Sequence, residues 1–455
     1  MKSSVLTVCL FAASLVLFPS TDTRAAERPN IVLIMADDMG YECVGANGCL
    51  DYRTPELDRL AASGVRFEHC YSQPICTPSR VKLMTGMSNK RNYVRFGQLD
   101  RTQTTFAHLL KKAGYKTAIA GKWQLGGEKD SPQHFGFEQS LLWQHTRPRT
   151  DKDKHDTRYP NPRLERNGKE LDFDNGEFSS DLFSDFLLDF MEENKDQPFL
   201  AYYPMALVHC PFSATPDSEE WDPKLRGSQD YKGNPKYFGD MVAYVDRTVA
   251  KIDAKLAELG IRDNTLLIFT GDNGTDTPIV TNTTWGKVAG AKGQMIDAGN
   301  HVTCIVSWPS VIREGRVVQD IIDFSDMLPT MCAAAAGAAV PADLPIDGQS
   351  FLPLLQGQTF KSRNSIYMWY SRNGVVNQAR AFARNQTWKL YESGELFDIS
   401  HDPLEKQPLD PETLTKSQQQ VRVLLQSHID QFADVVPPGD RKQKAAERKK
   451  QRGND

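Results

Sequence analysis

The chain has 455 residues, with 54 Lys and Arg against 58 Asp and Glu, a formal net charge of -4 and 40% hydrophobic residues. These values, with a mean hydropathy of -0.49, are typical of a globular protein and exclude a disordered chain, a coiled coil, a collagen-like chain and a polytopic membrane protein. The near balance of charge also argues against a nucleic-acid partner, because duplex binding needs a concentrated basic face.

The N-terminal residues 1–26 have the layout of a secretory signal peptide. Lys2 precedes the apolar run VLTVCLFAASLVLFP, and polar residues follow up to Ala25 and Ala26. A membrane anchor is the alternative, but the run is too short to cross a bilayer comfortably. We therefore expect a mature chain that begins near Glu27, is secreted or periplasmic, and has no stable membrane insertion after cleavage.

Apolar, β-branched runs alternate with helical patterns through most of the chain, and this predicts an α/β domain over 27–360 with a large, mostly parallel sheet covered by helices on both faces. Such sheets place ligands at the carboxyl ends of their strands. Strands are predicted at 31–36, 117–120, 199–203, 266–270 and 302–307. Helices are predicted at 55–63, 104–113, 179–193 and 236–259.

Two further regions differ in texture. Residues 127–176 are charged and weakly periodic, which predicts loops near the mouth of the site. After residue 360, short strand-like runs at 365–370, 379–384 and 388–391 precede a helix near 416–432. This pattern predicts a smaller C-terminal α+β subdomain with an antiparallel sheet, over 361–436.

The last segment, 437–455, is a basic tail. From Asp440 to Asp455 there are seven Lys or Arg against three Asp or Glu, with no apolar periodicity. A solvated tail is the favoured interpretation, and contact with an anionic polymer is the alternative.

Two acidic turns follow two predicted strands. Asp37 and Asp38 come directly after IVLIMA, and Asp272 and Asn273 come directly after LLIFTG. Asp and Asn are ordinary turn residues, so either turn alone is weak evidence. At neighbouring strand ends, however, three carboxylates and an amide form a set of hard oxygen donors that suits Ca²⁺ or Mg²⁺.

The third feature is the segment CTPSR at 76–80. Pro78 suits the first turn of a helix, so Cys76 would lie at a helix N-terminus, where backbone N–H groups favour an anion. Arg80 lies on the same helix face and suits a tetrahedral oxyanion. A buried structural cysteine is the alternative. Seven cysteines follow the signal peptide, and because this number is odd, at least one is free, paired with another chain or chemically modified. Cys43 and Cys49 are close enough in sequence for a local disulfide.

Together these segments resemble the type I, formylglycine-dependent sulfatases of the alkaline phosphatase superfamily. The resemblance covers nearly the whole mature chain in the order typical of that family. It rests on the segments RPNIVLIMADDMG, CTPSR, AGKWQLG, TGDNG, GAKG, DGQSFLPLL and ELFDISHDPLEKQPLD.

The resemblance implies an alkaline-phosphatase-like fold and a sulfatase. Cys76 would be oxidised by a formylglycine-generating enzyme during maturation, and the hydrated aldehyde would be the nucleophile. A divalent ion, usually Ca²⁺ with Mg²⁺ possible, would be bound by Asp37, Asp38, Asp272, Asn273 and the modified Cys76. The cations that hold the sulfate oxygens would be Arg80, Lys122 and Lys292. The proton donor to the leaving oxygen would be His209, alone or together with Lys292.

Two positions depart from the family pattern. Gln124 in GKWQLG stands where histidine is usual, and His301 stands where arginine is usual. Glutamine cannot titrate near neutral pH, so we hypothesise that His301 or Asp297 reaches the site and supplies the missing proton transfer. In the alternative, His301 only packs beneath its loop.

The predicted function is therefore hydrolysis of sulfate monoesters, with a sulfated carbohydrate as the expected substrate because a secreted enzyme meets sulfated polysaccharides. A phosphate or phosphonate monoester hydrolase on the same scaffold is one alternative. A non-catalytic protein that binds sulfated glycans is the other.

Overall fold

A computed structural model describes residues 28–440; the predicted signal peptide and most of the basic tail lie outside this range. The described chain forms a ten-stranded main sheet. In spatial order its strands are β12 (Arg316–Asp323), β2 (Val65–Tyr71), β11 (Cys304–Ser307), β8 (Thr265–Gly271), β1 (Asn30–Ala36), β7 (Phe199–Pro204), β3 (Lys116–Lys122), β4 (Gln139–Trp143), β5 (Arg163–Arg166) and β6 (Lys169–Asp172).

The centre of this sheet is parallel. Strands β8, β1, β7, β3 and β4 all run in the same direction. Strand β11 is antiparallel to both of its neighbours, and β5 and β6 form an antiparallel edge. The predicted α/β class with a large, mostly parallel sheet is confirmed.

Helices cover both faces of the sheet, and this explains the continuous apolar run of β1. Every residue of β1 is buried; Ile31 and Leu33 pack into one apolar cluster and Val32 and Ile34 into the other. One face carries α2 (Cys76–Thr85), α4 (Phe106–Lys112) and α9 (Met327–Ala334). The other carries α1 (Pro55–Ser63), α6 (Ser179–Glu193) and α7 (Phe238–Glu258).

Short elements complete the main domain. They are the helices α3 (Asn89–Asn92), α5 (Ser131–His134), α8 (Asp297–Asn300) and α10 (Leu352–Leu355), and a two-stranded ribbon of β9 (Val280–Thr283) and β10 (Gly286–Ala289). Within residues 28–440, no helix has both the length and the apolar character needed to span a membrane.

The prediction of loops at 127–176 is wrong in part. This segment contributes α5 and the edge strands β4, β5 and β6 to the main sheet. These strands have only four or five residues, and charged side chains at the solvent-facing edge interrupt their alternation. Strands β2 and β12 also add to the predicted set.

The predicted C-terminal antiparallel sheet is confirmed. Its strands are β13 (Ile366–Tyr370), β14 (Arg380–Arg384), β15 (Trp388–Tyr391) and β16 (Leu396–Asp398), followed by α11 (Lys416–Asp430). One face shares an apolar cluster with Leu425 and Ile429 of α11. The other packs on Tyr71, Met295 and Ile321 of the main domain.

All seven described cysteines are free thiols in the structure. The local disulfide considered for Cys43 and Cys49 is therefore not present. Cys43 Sγ instead lies 3.3 Å from Thr275 Oγ1 in a buried site.

Candidate active site

The two acidic turns lie side by side because β1 and β8 are neighbours in the sheet, with Ala36 opposite Gly271. The backbone N–H of Asp272 donates to Ala36 O at 2.8 Å, and the backbone N–H of Asp38 donates to Asp272 Oδ1 at 3.0 Å. Asn273 Nδ2 donates to Asp38 Oδ1 at 2.8 Å. The side chains of both turns are fully buried, so the parallel strands bring the predicted metal-ligand set to one point.

Each buried carboxylate is paired with a cation from another part of the chain. The pairs are Lys122 Nζ with Asp37 Oδ2 at 2.6 Å, Lys292 Nζ with Asp38 Oδ2 at 2.6 Å, and Arg80 Nη2 with Asp272 Oδ2 at 3.0 Å. Unpaired buried charge is costly, and this one-to-one pairing keeps the cluster electrically balanced inside the protein.

A glycine places Lys122 at this point. Gly121 has φ +128°, and a Cβ there would lie 2.0 Å from Pro204 O of the neighbouring strand β7. Only glycine permits so close an approach. The end of β3 can therefore lie against β7 and direct Lys122 onto Asp37.

Arg80 lies on α2, the helix that begins at Cys76, and contacts two members of the cluster. It is buried, with Nη1 donating to Lys122 O at 2.9 Å and Nη2 donating to Asp272. Arg80 therefore orients Lys122 and Asp272, and its buried Nε has no hydrogen-bond partner within the described part of the chain. It is not among the residues that line the cavity.

Two oxygens of the acidic cluster have the character of free metal ligands. Asp37 Oδ1 and Asn273 Oδ1 are buried and accept no hydrogen bond within the described part of the chain. Burial raises the pKa of Asp272 to about 8, and the neighbouring charge of Asp37 adds to this effect. Buried oxygen atoms without partners are unfavourable, and hard oxygen donors of this kind fit Ca²⁺ or Mg²⁺. The residues present therefore fit a divalent cation.

Cys76 begins α2 and lies beside this cluster. One ligand atom each from Asp37, Cys76 and Asp272 can lie within 4.8 Å of the others. Cys76 Sγ donates to Gln124 Oε1 at 2.8 Å. Burial raises the pKa of the thiol, with Lys122 opposing that shift. An unmodified Cys76 is therefore protonated at neutral pH and is a poor nucleophile, since the thiolate is the reactive form.

Gln124 has a left-handed backbone with φ +54°. This conformation turns its amide oxygen toward both Cys76 and Thr77, whose Oγ1 lies 3.4 Å away. Gln124, which stands where the family usually has histidine, is thus in direct contact with the candidate nucleophile.

His209 lies between two cations. Its Nε2 is 2.9 Å from Lys292 Nζ and its Nδ1 is 2.6 Å from Arg158 Nη1. Burial lowers the pKa of His209 well below its usual value, and both cations add to the shift. The ring is therefore neutral at pH 7. The Cys210 carbonyl accepts from His209 Nδ1–H and from Arg158 Nη1, which leaves Nε2 to accept from Lys292.

Arg158 is a site residue that the sequence did not reveal. It is buried, stacks over Trp143 at 4.3 Å and contacts both His209 Nδ1 and Cys210 O. It lies in the weakly periodic segment 127–176, and its partner is 51 residues away in sequence. No local motif marks it, so only the three-dimensional contact identifies it.

The structure does not bring His301 or Asp297 into the cavity. His301 stacks on Tyr41 with ring centroids 4.1 Å apart, and its Nε2 contacts Glu68 O at 2.8 Å. Asp297 pairs with His301 and Arg384. The hypothesis that His301 or Asp297 compensates for Gln124, here called the compensation hypothesis, therefore lacks a geometric basis, since neither residue lines the cavity.

The predicted residues that do converge line one cavity of about 470 Å³. Its lining includes Cys76, Lys122, Gln124, His209 and Lys292. A candidate nucleophile, two ammonium groups and a neutral imidazole thus face a common volume beside a carboxylate cluster. This arrangement suits the binding and cleavage of a tetrahedral oxyanion ester.

Comparison with known proteins places this site in a family. The Sulfatase family matches residues 29–338, and the family described as N-sulphoglucosamine sulphohydrolase, C-terminal, matches residues 291–433. Human steryl-sulfatase is 27% identical, with 91% of this chain and 90% of the relative covered. Human arylsulfatase A is 32% identical, with 79% of this chain and 74% of the relative covered.

The crystal structure of Ps i-CgsB is similar, with a TM-score of 0.71, 25% identity, and coverage of 91% of this chain and 94% of that one. The family match spans well over half of the sequence and includes all of the predicted site residues. The chain belongs to the type I sulfatases of the alkaline phosphatase superfamily, enzymes that hydrolyse sulfate esters.

Proposed function

We propose that the protein is a secreted or periplasmic hydrolase that cleaves a sulfate monoester of a sulfated carbohydrate, with Cys76 converted to formylglycine. The observation that carries this proposal is the place of Cys76, at the start of a helix and in the wall of the cavity that Lys122, His209 and Lys292 also line. The signal-peptide pattern of residues 1–26 supports export.

Asp37, Asp38, Asp272 and Asn273 would hold a divalent cation, with Ca²⁺ favoured over Mg²⁺. When bound, the cation supplies Lewis-acid polarisation of the ester, and the hydrated aldehyde of residue 76 supplies the attacking oxygen. The oxygens of Asp37 and Asn273 that lack hydrogen-bond partners support this assignment.

Sulfate binding and proton donation to the leaving group are assigned to side chains that the structure describes. Lys122 and Lys292 line the cavity and can donate to sulfate oxygens, whose negative charge increases as the ester bond breaks. Lys292 also donates to His209 Nε2. This pair supplies the proton that the leaving alcohol oxygen takes up, and Arg158 holds the imidazole in place through the Cys210 carbonyl, which accepts from both side chains.

Gln124 accepts a hydrogen bond from the group on residue 76 rather than exchanging a proton with it. Its Oε1 lies 2.8 Å from Cys76 Sγ, and an amide does not titrate in the working range. We infer that Gln124 orients the hydroxyls of the modified residue.

Mass spectrometry and kinetics test the proposal together. Protein made in the native host, or with a formylglycine-generating enzyme, should carry oxygen in place of sulfur at residue 76 and should hydrolyse 4-nitrophenyl sulfate. Cys76→Ala should lower turnover by at least about 10³-fold, the scale of losing a nucleophile. Unmodified cysteine in active protein from the native host would refute the assignment, and an inactive protein with unmodified cysteine would favour a non-catalytic glycan-binding protein.

A matched pair of substrates separates a sulfatase from a phosphate or phosphonate hydrolase on the same scaffold. We expect kcat/KM for 4-nitrophenyl sulfate to exceed that for 4-nitrophenyl phosphate. The opposite ranking would assign the site to phosphoryl transfer.

A further inference from the structure

The rim of the active-site cavity carries two arginines whose guanidinium groups lie over aromatic rings. Arg372 is 4.5 Å from the ring centroid of Phe96, and Arg149 is 4.7 Å from that of Tyr231. All four residues line the same cavity as Cys76. A guanidinium has five N–H donors, so one that lies over a ring still has donors for an anion.

Arg372 is the cation of this rim that has no acidic partner within residues 28–440. It is exposed, and its own segment is held in place because Arg372 O accepts hydrogen bonds from Phe96 N at 3.1 Å and from Tyr93 Oη at 3.2 Å. Its position at the cavity is therefore set by the backbone, and its charge is not neutralised by a neighbouring carboxylate.

The other cations around the cavity, besides Lys122 and Lys292, are partly neutralised. Arg149 and Arg158 share the single carboxylate of Asp156, at 3.0 Å and 3.7 Å. Lys232 pairs with Asp276 at 2.6 Å. With Arg372 and the buried Arg158 included, these four cations exceed the two carboxylates by two charges, although the chain as a whole has a net charge of -4.

These charges are separate from the cations assigned to the ester that is cleaved. Lys122 and Lys292 contact the buried Asp37 and Asp38 and belong to the floor of the site. A substrate with one sulfate group would use that floor and leave the rim charges unmatched. The surplus is explained if the substrate carries another anion.

We infer that the substrate carries a second anionic group, a sulfate or a carboxylate, beside the ester that is cleaved, and that Arg372 binds this group, with Arg149 adding positive charge on the same rim. The inference rests on the proposed sulfatase function. A planar guanidinium donates two parallel hydrogen bonds to either oxyanion, which makes Arg372 a specificity residue for polyanionic carbohydrates.

Aryl sulfates that differ by one anion test the inference without knowledge of the sugar. The probes are 4-nitrophenyl sulfate, its 3-carboxy derivative and its 3-sulfate ester, and the last two distinguish a carboxylate from a second sulfate. In the wild type, at least one dianionic probe should have a higher kcat/KM than 4-nitrophenyl sulfate. Arg372→Ala should lower kcat/KM for that probe about 10- to 100-fold, because a hydrogen bond to a charged group is lost. Its kcat/KM for 4-nitrophenyl sulfate should change less than about twofold.

Two further variants make the result specific. Arg95→Ala removes the same charge from a nearby exposed position that does not line this cavity. It should leave kcat/KM unchanged for 4-nitrophenyl sulfate and for the dianionic probes. Arg372→Lys should restore part of the preference, since it keeps the charge but not the planar pair of donors. The inference is overturned if Arg372→Ala matches the wild type on both dianionic probes, or if Arg95→Ala has the same effect as Arg372→Ala.

The same measurements separate this inference from the proposed function. Failure to hydrolyse any of the three sulfates, with residue 76 modified, would refute the sulfatase proposal. Calorimetric binding of the dianionic probes to the wild type and to Arg372→Ala would then still report on the rim. Equal affinities would reject the role of Arg372.

Discussion

The ion pair between Arg384 and Asp297 joins the C-terminal sheet to the loop that carries Lys292, and its removal gives the sharpest test of how the two parts of the protein depend on each other. Arg384 is buried and lies 3.9 Å above the ring centroid of Tyr71. The side chain of Asp297 is 25% exposed. Replacing Arg384 with alanine therefore leaves a mostly buried carboxylate whose remaining ion-pair partner within residues 28–440 is His301.

We expect Arg384→Ala to reduce the free energy of unfolding by about 3 kcal/mol. Loss of one partner of a buried pair costs about 3–5 kcal/mol, and the partial exposure of Asp297 favours the lower end of that range. Turnover of 4-nitrophenyl sulfate should also fall, by up to about 100-fold, if displacement of the loop moves Lys292. Urea unfolding followed by circular dichroism measures the first effect.

Two controls isolate the charge pair. Arg380→Ala alters an exposed arginine of the same strand, and because its contact is a surface cation–π pair with Tyr391, it should cost about 1 kcal/mol or less. The double variant Arg384→Met with Asp297→Asn should recover most of the loss, because a neutral pair leaves no buried charge. A loss below about 1 kcal/mol for Arg384→Ala, or no recovery in the double variant, would refute the reasoning.

The pH dependence gives a further check. Burial alone would raise the pKa of Asp297, but Arg384 and His301 hold it far below its usual range. The pair therefore contributes its full stability above the unfolded pKa of about 3.9, and this contribution is lost as the pH falls through the folded pKa. The stability difference between the wild type and Arg384→Ala should narrow below about pH 4.

Other substitutions test individual roles. Gln124→Ala should lower kcat for 4-nitrophenyl sulfate about 10-fold with little change in KM. Gln124→His should keep most activity and add an ionisation near pH 6.5 to the pH profile of the rate. Equal kcat values for Gln124→Ala and the wild type would show that Gln124 has no part in the mechanism. His301→Ala should cost about 1 kcal/mol in urea unfolding and change kcat less than twofold, and a large fall in kcat would revive the compensation hypothesis. Arg158→Ala should lower kcat/KM about 10-fold because His209 loses its support, with partial rescue in Arg158→Lys; a stability loss without a kinetic effect would make Arg158 purely structural.

The sequence predicted the parts of the site that depend on one strand end or one helix end. Asp37 follows a continuous apolar run, and such a run is a buried strand of a parallel sheet, so its carboxyl end had to lie where ligands bind. The same logic applied to Asp272. Cys76 at a helix N-terminus followed from Pro78 two positions later.

The parts that sequence reasoning missed depend on contacts between distant segments. Arg158 has a meaning only through His209, and the intervening residues carry no periodic signal. His301 lay at a position adjacent to a family motif, but its side-chain direction depends on the antiparallel bridge with Tyr71. A shift of one residue in such a bridge would have directed it to the other face, and the sequence does not specify that register.

The distribution of charge in the cavity reconciles an acidic protein with an anionic substrate. In the floor, three buried acidic side chains each contact a cation, and these pairs offset much of the positive charge that would attract a sulfate ester. A divalent cation at the unpaired oxygens of Asp37 and Asn273 would give the floor a net positive charge. The rim already has a surplus through Arg372 and Arg149. Affinity for the ester should therefore depend on the bound cation, whereas discrimination between substrates should depend on the rim, and the two can change independently.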